Sequence, residues 1–152
     1  MPLIPTGQRC WSCLVVAMDN YELVEAFPGV DEYVHLRQAT GLSLISREAA
    51  ERGLPNTLYG VSILHGIKVI GMGRVIGDGG CFFHIVDIAV LPEYQGQGLG
   101  KRIMAAIMAY IQENALPTAY ISLIADAPEF YRKYGFHPVR QRSEGMYLRV
   151  GQ

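Results

Sequence analysis

The chemically informative part of this sequence is a glycine-rich turn, Gln95-Gly96-Gln97-Gly98-Leu99-Gly100, between an apolar run and an amphipathic run. Glycines let a backbone approach a phosphate group closely, because no Cβ atom stands between them. A helix beginning at this turn would add unpaired N–H groups and a partial positive charge. The turn therefore predicts a pyrophosphate site, and a turn that merely reverses the chain is the alternative.

The spacing of this turn separates it from two other phosphate-binding motifs. It lacks the Gly-Lys-Ser/Thr ending of the P-loop, and it lacks the Gly-x-Gly-x-x-Gly spacing of a dinucleotide fold. Neither of those nucleotide-binding classes is therefore indicated.

The elements before the turn predict an antiparallel meander. In chain order they are a strand, two helices and three strands, at residues 21–26, 30–39, 46–52, 57–64, 67–76 and 81–90. Asp31 and Glu32 favour the first helix at its N-terminus, and Ser46 caps the second. The last three strands are joined by tight glycine turns, so they are expected to pair antiparallel.

The elements after the turn predict a parallel crossover. They are a helix, a strand, a short helix and a final strand, at residues 99–114, 120–125, 128–134 and 146–150. Ile103, Ile107 and Ile111 share one face of the long helix, a pattern typical of a helix packed on a sheet. The third meander strand, the long helix and the next strand form one β-α-β unit, so the predicted class is α+β with a mixed sheet.

The composition indicates one globular domain. The 152 residues are 50% hydrophobic and 18% charged, with a formal net charge of −1, and residues 18–152 are interpreted as a single domain. A net charge this close to zero gives no positive electrostatic field that would attract a nucleic-acid backbone or an anionic membrane. No apolar run approaches the roughly 20 residues of a membrane helix, and the protein is expected in the cytoplasm.

Residues 1–17 share little pattern with the rest of the chain, and one hypothesis places the native start at Met18, with the leader as an extension. Three cysteines are an odd number, which argues against a closed disulfide framework. Cys10 and Cys13 have redox-motif spacing, but they precede the first strand and so lack the setting that lowers a thiol pKa. No second Cys/His pair follows at ligand spacing, so no metal site is expected.

A second motif lies downstream of the turn, Phe130-Tyr131-Arg132-Lys133-Tyr134-Gly135-Phe136. A strand, Gln-x-x-Gly-x-Gly, an amphipathic helix, a strand and this motif, in that order, resemble the GNAT superfamily of acetyl-CoA-dependent N-acetyltransferases. The resemblance covers about residues 21–150, and its sharpest matches are Gln95, Gly98, Gly100, Tyr131, Gly135 and Phe136. It implies a GNAT-like acyl-CoA N-acyltransferase fold in which the two parallel strands splay apart at the centre of the sheet.

The resemblance implies acetyl-CoA as co-substrate and no metal. In this family the strand before the turn binds the pantetheine arm through its backbone, here at Ile88, Ala89 and Val90. N–H groups near Ile88 and Ala89 would polarise the acetyl carbonyl as an oxyanion hole does. The pyrophosphate would lie against the turn residues Gln95, Gly96, Gln97, Gly98, Leu99, Gly100 and Lys101.

The same resemblance indicates three side chains for proton transfer. Tyr131 matches the tyrosine that protonates the leaving thiolate, and a phenol with a pKa of about 10 is a proton donor at neutral pH. His84 lies eleven residues before Gln95, where some relatives carry a catalytic Glu or His. Asp87 is its rival as general base, because a β-bulge in this strand would re-aim either side chain. Water as the base, and structural roles for all three residues, stay open.

The acceptor site of the family is built by the first two helices, their loop and the strand ends. Here it would contain mostly apolar and aromatic residues, Tyr33, Leu36, Arg37, Leu42 and Phe83. The scarcity of acidic charge favours a small, partly apolar primary amine that attacks directly in a ternary complex. A protein N-terminal or lysine acetyltransferase and a non-catalytic acyl-CoA-binding sensor are the alternatives. Relatives are often homodimers, and the strand at 146–150 offers an edge for pairing.

Overall fold

The computed structural model describes residues 20–151. The hypothesis about residues 1–17 and the redox spacing of Cys10 and Cys13 lie outside the described residues. No helix in the described range is both long and apolar enough to cross a membrane.

The first helices begin where the sequence places their caps. The first three elements are strand β1 (Tyr21–Val24), helix α1 (Val30–Ala39) and helix α2 (Arg47–Gly53). The Glu32 carboxylate accepts a hydrogen bond from the Gly29 N–H at 3.2 Å, and Ser46 Oγ accepts one from the Ala49 N–H at 3.2 Å. Each bond satisfies an N–H group at a helix start, so both helices form as predicted.

Five strands form one sheet in the order β1-β2-β3-β4-β5. The strands after β1 are β2 (Tyr59–His65), β3 (Lys68–Gly77), β4 (Phe82–Val90) and β5 (Tyr120–Leu123). Neighbours from β1 to β4 are antiparallel, whereas β4 and β5 are parallel. The predicted α+β class, with an antiparallel meander and a parallel crossover, is confirmed, and these strand ends differ from prediction by one or two residues.

Helix α3 (Leu99–Asn114) makes the crossover between the parallel strands, with the bounds that its periodicity predicts. Its apolar face is buried against the sheet, where Ile103 and Ile107 have no exposed surface. Helix α4 (Pro128–Arg132) follows β5 and ends two residues earlier than predicted. Together these helices place the glycine-rich turn and the second motif at the same end of the parallel strand pair.

The helices cover both faces of the sheet. Gly73 faces α3, since a Cβ atom there would lie 2.5 Å from Ile103 and 2.7 Å from Ile88. The next residue, Arg74, faces the other side, where its guanidinium lies 5.7 Å from the ring centroid of Tyr33 in α1. Successive residues of a strand point to opposite faces. Helices α1 and α3 therefore lie on opposite sides of the central strands.

The predicted final strand at 146–150 is wrong. These residues pair with no strand of the described sheet, and the exposed fractions of Met146, Tyr147, Leu148 and Val150 are 84–94%. An apolar alternation becomes a strand only where a neighbouring strand accepts its backbone hydrogen bonds. Because β5 ends the described sheet, this segment does not form the edge that the homodimer prediction uses.

Candidate functional site

The glycine-rich turn adopts a conformation that requires glycine. Gly96 and Gly98 have φ angles of 77° and 79°, in the left-handed region. Gly98 is the N-cap of α3, and no side chain caps the helix there. Within the described range, no backbone carbonyl accepts a hydrogen bond from the N–H groups of Gly96, Gln97 or Gly98. The turn therefore presents unpaired amides at the start of a 16-residue helix.

Two glutamine side chains hold this turn in place. Gln95 Nε2 donates to the Val90 carbonyl at 2.9 Å, which ties the turn to the end of β4. The Tyr21 hydroxyl of β1 donates to Gln97 Oε1 at 2.8 Å. Both glutamine side chains therefore position the turn, while its backbone supplies the free N–H groups.

The chemistry of the turn fits a diphosphate. A Cβ atom at Gly96 or Gly98 would meet no atom within 4 Å, so the backbone angle, not crowding, requires these glycines. Leu99 is 2% exposed, so its side chain anchors α3 while its N–H remains in the first turn. Lys101 is exposed in the same turn and adds a positive charge. Free amides, a positive helix end and a lysine suit an anionic ligand.

Strands β4 and β5 pair along only part of their length. The parallel register ends at Ile85↔Leu123, whereas β4 continues to Val90. Ile88 and Ala89 thus border an unpaired edge on the β5 side, which is the splay that the resemblance implies. An edge with unpaired N–H and C=O groups can bind an extended ligand through its backbone.

A β-bulge lies in β4 at Asp87. The register with β3 shifts between Met72 and Arg74, and Asp87 has a φ angle of 58°, which is uncommon for a residue with a side chain. The bulge turns the Asp87 carboxylate to the face that carries Arg74. His84 shares this face, because its partner Ile76 lies two residues from Arg74. The bulge anticipated for this strand is therefore present.

A largely buried group of side chains, here called the arginine cluster, contains Asp87, Arg37, Arg74 and Tyr33. Oδ1 of Asp87 accepts from Arg37, and Oδ2 accepts from Nε of Arg74 at 2.7 Å and from the Tyr33 hydroxyl at 3.3 Å. The exposed fractions of the Arg37, Arg74 and Asp87 side chains are 10%, 13% and 5%. Burial raises the pKa of Tyr33, and the Asp87 charge acts in the same direction, so the phenol stays neutral. Both oxygens of Asp87 are committed to partners inside the protein.

His84 contacts the neighbouring parallel strand. Its Nδ1 lies 2.8 Å from Ser122 Oγ, and the two residues are register partners. Burial lowers the pKa of His84 below its ordinary value of 6.5, and a hydrogen bond to the backbone of Ser122 acts in the opposite direction. The direction of the bond between the side chains depends on the ring tautomer, so Nδ1 donates to Ser122 Oγ in one tautomer and accepts from it in the other. In the tautomer that donates from Nδ1, the neutral ring carries its lone pair on Nε2.

Tyr131 lines a cavity of about 770 Å³ between β5, α4 and the segment that follows α4. Ser122 lines the same cavity, so Tyr131 and the partner of His84 border one space. Burial raises the pKa of the Tyr131 hydroxyl, and the charge of Asp126 acts in the same direction. The phenol therefore keeps its proton at neutral pH. Its ring also packs against Phe130, with 5.0 Å between the ring centroids.

The residues predicted to line the acceptor site divide into two groups. Leu36, Phe83 and Tyr33 are core residues with exposed fractions of 0%, 1% and 2%, so direct contact of these side chains with an acceptor would need a different conformation. Leu42 is partly buried after α1, and Arg37 belongs to the arginine cluster. For all five residues, acceptor binding stays a prediction.

Two polar residues that spacing did not indicate take part in these contacts. Arg74 is a charge in the interior of an apolar strand, and a charge in such a place signals a buried partner. Ser122 stands opposite His84 because of the parallel register, for which the sequence carries no local signal. Between residues 20 and 151, no group of three or more His, Cys, Asp or Glu side chains is placed to hold a metal ion.

Comparisons with known proteins agree with this geometry. A family model described as an acetyltransferase (GNAT) domain matches residues 59–138. Two curated relatives are GCN5-related N-acetyltransferase 2, chloroplastic, of Arabidopsis thaliana, at 37% identity over 82 residues, and histone acetyltransferase TAP1 of Glycine max, at 35% identity over 82 residues. Each alignment covers 53% of this chain but 31% and 35% of the relative, so the chain spans about a third of their length.

A solved structure from Staphylococcus aureus matches more of this chain than these two relatives do. It is a protein of unknown function, described as a probable acetyltransferase, and it is 47% identical to this chain. The superposition has a TM-score of 0.82 and covers 86% of this chain and 100% of that chain. The resemblance thus extends well beyond the two motifs.

Proposed function

The chain belongs to the GNAT acetyltransferase family, and from this premise we propose that it transfers an acetyl group from acetyl-CoA to the primary amine of a small, partly apolar acceptor. The observation that carries the proposal is the continuity between the unpaired edge of β4 and the free amides at the start of α3. Such a path suits an extended acyl carrier along the strand and its diphosphate at the helix end.

Backbone groups of the chain hold the co-substrate in this proposal. Acetyl-CoA, when bound, supplies an activated acetyl thioester. The N–H groups from Gly96 to Lys101 bind its pyrophosphate, and the backbone of Ile88, Ala89 and Val90 binds its pantetheine arm. N–H groups near Ile88 and Ala89 stabilise the negative charge that develops on the acetyl oxygen.

His84 is the proposed general base. An alkylammonium has no lone pair at pH 7, so the acceptor must lose a proton to attack. Nε2 of His84 takes this proton, directly or through water, while the amine nitrogen bonds to the acetyl carbon and the carbon–sulfur bond breaks. The hydrogen bond from Nδ1 to Ser122 orients the ring and is retained when the ring becomes charged.

Tyr131 is the proposed general acid for the leaving thiolate. Its hydroxyl keeps its proton at neutral pH because burial raises its pKa. Transfer of that proton to sulfur releases CoA as a thiol. The acceptor nitrogen loses two protons, one to His84 before the attack and one to solvent as the neutral amide forms, while Tyr131 gives one proton to sulfur. Exchange with solvent then restores His84 and Tyr131 for the next turnover.

Asp87 is proposed as a positioning residue, although the sequence presents it as a rival base. Its oxygens accept hydrogen bonds from Arg37, Arg74 and Tyr33. An amine would have to displace one of these partners to reach the carboxylate. The ion pairs instead support the unusual backbone angle of Asp87, one residue before Ile88.

Acetylation of a protein N-terminus or a lysine side chain is the second candidate. The identity of 35% over 82 residues to histone acetyltransferase TAP1 of Glycine max favours it. A non-catalytic acyl-CoA sensor is a further alternative, which would need the turn but neither His84 nor Tyr131.

Thiol release from acetyl-CoA, measured with small amines and with lysine-containing peptides, tests these candidates. A higher kcat/KM with small amines supports the proposal, whereas a higher value with peptides assigns the protein acetyltransferase. CoA binding in a calorimeter, without thiol release above hydrolysis for any amine, would assign the sensor. A chain that does not bind CoA contradicts all three candidates.

Two wider expectations accompany this proposal. Action in the cytoplasm, without nucleic-acid or membrane partners, rests on the composition. Homodimer formation rests on the family resemblance alone, because residues 146–150 form no strand. Sedimentation equilibrium of the full chain measures the oligomeric state directly.

A further inference from the structure

The arginine cluster carries more positive than negative charge. Arg37 and Arg74 share the single carboxylate of Asp87, and within the described part of the chain neither arginine forms an ion pair with another acid. The neighbouring Tyr33 is neutral. A largely buried charge without its own counter-charge is costly. The cluster is therefore suited to receive an anion.

The unused hydrogen-bonding capacity lies on Arg74. Arginine has five N–H donors, and Arg37 engages all three of its guanidinium nitrogens within the protein. Arg74 uses Nε on Asp87 and Nη1 on Thr57 Oγ1 at 3.2 Å. Its Nη2 makes no hydrogen bond to the described residues. Every fully buried side-chain nitrogen and oxygen in that range has a partner, so Nη2 must reach solvent.

Arg74 is close to the proposed base. His84 pairs with Ile76 across β3 and β4, and Arg74 lies two residues before Ile76 on the same face. Such diagonal neighbours lie about 7–8 Å apart in a sheet. One small molecule can therefore present its amine to His84 and a second group to Arg74.

We propose that the acceptor carries an anionic group, a carboxylate or a phosphate, that binds Nη2 of Arg74 while its amine is acetylated at His84. This inference rests on the proposed acetyltransferase function and defines the substrate class of the same site. Asp87 and Thr57 hold the guanidinium in place, so its free donors are oriented before the ligand arrives. The apolar part of the acceptor then lies between two polar ends.

Matched acceptors test the subsite. Phenylalanine is compared with phenylalaninol and leucine with leucinol, so that the carboxylate alone is exchanged for a neutral group. Phosphoethanolamine is compared with ethanolamine, which separates phosphate from carboxylate recognition. We expect kcat/KM to be about tenfold or more higher for the anionic member of at least one pair, because hydrogen bonds to charged groups are the strong ones. The difference should lie in KM, since the anion is remote from the reacting atoms.

Variants of Arg74 connect this preference to one side chain. Arg74→Gln should abolish the anionic-to-neutral ratio, and Arg74→Lys should retain part of it. The ratio within one variant does not depend on the folded fraction, so a destabilised protein still gives a valid result. Arg52→Gln is the matched control, because Arg52 is 83% exposed on α2 and should leave the ratio unchanged.

Binding without turnover separates the subsite from the proposed function. The preferred anionic probe should raise the melting temperature of the CoA-bound wild type but not of Arg74→Gln. That result in the absence of any acetylation keeps the subsite and removes the acetyltransferase proposal. Equal kcat/KM within every pair, or a ratio that Arg74→Gln leaves intact, overturns the subsite and leaves the acetyltransferase proposal standing.

Discussion

Nδ1 of His84 lies 2.8 Å from Ser122 Oγ, and the two residues, 38 apart in the chain, are direct partners across the parallel strands. The contact fixes the ring orientation of the proposed base and leaves Nε2 for the acceptor amine. It also sits where the parallel pairing is about to end, one residue before Ile85. The proposed base therefore lies next to the point where β4 and β5 separate.

Ser122→Ala removes the hydroxyl that lies 2.8 Å from His84 Nδ1, while the burial that lowers the pKa of His84 persists. His84 accepts a proton only when neutral, so activity is full above its pKa and is lost as the pH falls through it. The acidic limb of the kcat/KM profile should lie below pH 6.5 and should shift further down in the variant, because the charged ring loses a hydrogen-bond acceptor. Ser122→Thr keeps a hydroxyl and should restore the wild-type limb. His84→Gln should remove the limb, and an unaltered limb in both variants would point to water or another base.

Tyr131→Phe should lower kcat by at least about tenfold, because general acid catalysis contributes on the order of 10²–10⁴ in rate. The affinity for CoA should change little, since the ring and its packing against Phe130 remain. Steady-state kinetics and calorimetry measure the two quantities separately. Tyr134→Phe, three residues further on, is the control and should keep the wild-type kcat. Wild-type turnover in Tyr131→Phe would remove its acid role.

Gly100→Ala separates the stability of the turn from its ligand binding. A Cβ atom at this position would lie 3.7 Å from Phe130 Cζ, an ordinary contact, and alanine is the better helix former. Urea unfolding should therefore show unchanged or slightly higher stability. Affinity for CoA should nevertheless fall, because the new methyl group lies where the backbone must approach the pyrophosphate. Wild-type affinity in this variant would place the diphosphate elsewhere.

Gly98→Ala should destabilise the protein by about 1 kcal/mol, because an L-residue with a side chain is strained at a φ of 79°. Gly98→Asn is the matched variant. It should lose less stability than Gly98→Ala, since asparagine tolerates the left-handed region. Urea midpoints give both values. Equal losses for alanine and asparagine would show that the backbone angle is not what selects glycine here.

Asp87→Asn should lower the free energy of unfolding by about 3–5 kcal/mol, because two largely buried guanidinium groups lose their shared counter-charge. The double variant Asp87→Asn/Arg74→Gln should lose less free energy of unfolding than the two single variants lose together, since the second change removes one of the unpaired charges. Glu51→Gln, in an exposed ion pair with Arg47, is the control and should cost about 0.5 kcal/mol or less. A loss below about 1 kcal/mol for Asp87→Asn would refute the structural role of the carboxylate.

The elements that sequence predicts well are those with local signals. The bounds of α3 follow from the apolar stripe of Ile103, Ile107 and Ile111, and the turn before it follows from glycines that take positive φ angles. The final strand fails for the opposite reason. The alternation at 146–150 satisfies a local pattern, but a strand exists only with a partner, which no local pattern supplies.

The sequence by itself determined the order of elements from β1 to α4, the glycine-rich turn before α3 and the presence of Tyr131 in a second motif, because each depends on residues adjacent in the chain. The tertiary structure alone decided that His84 contacts Ser122, that Asp87 is held by Arg37 and Arg74, and that Arg74 keeps free donors. These contacts depend on strand register and on one bulge. A one-residue shift in strand register would turn His84 and Arg74 to the opposite face of the sheet, and loss of the bulge would re-aim Asp87.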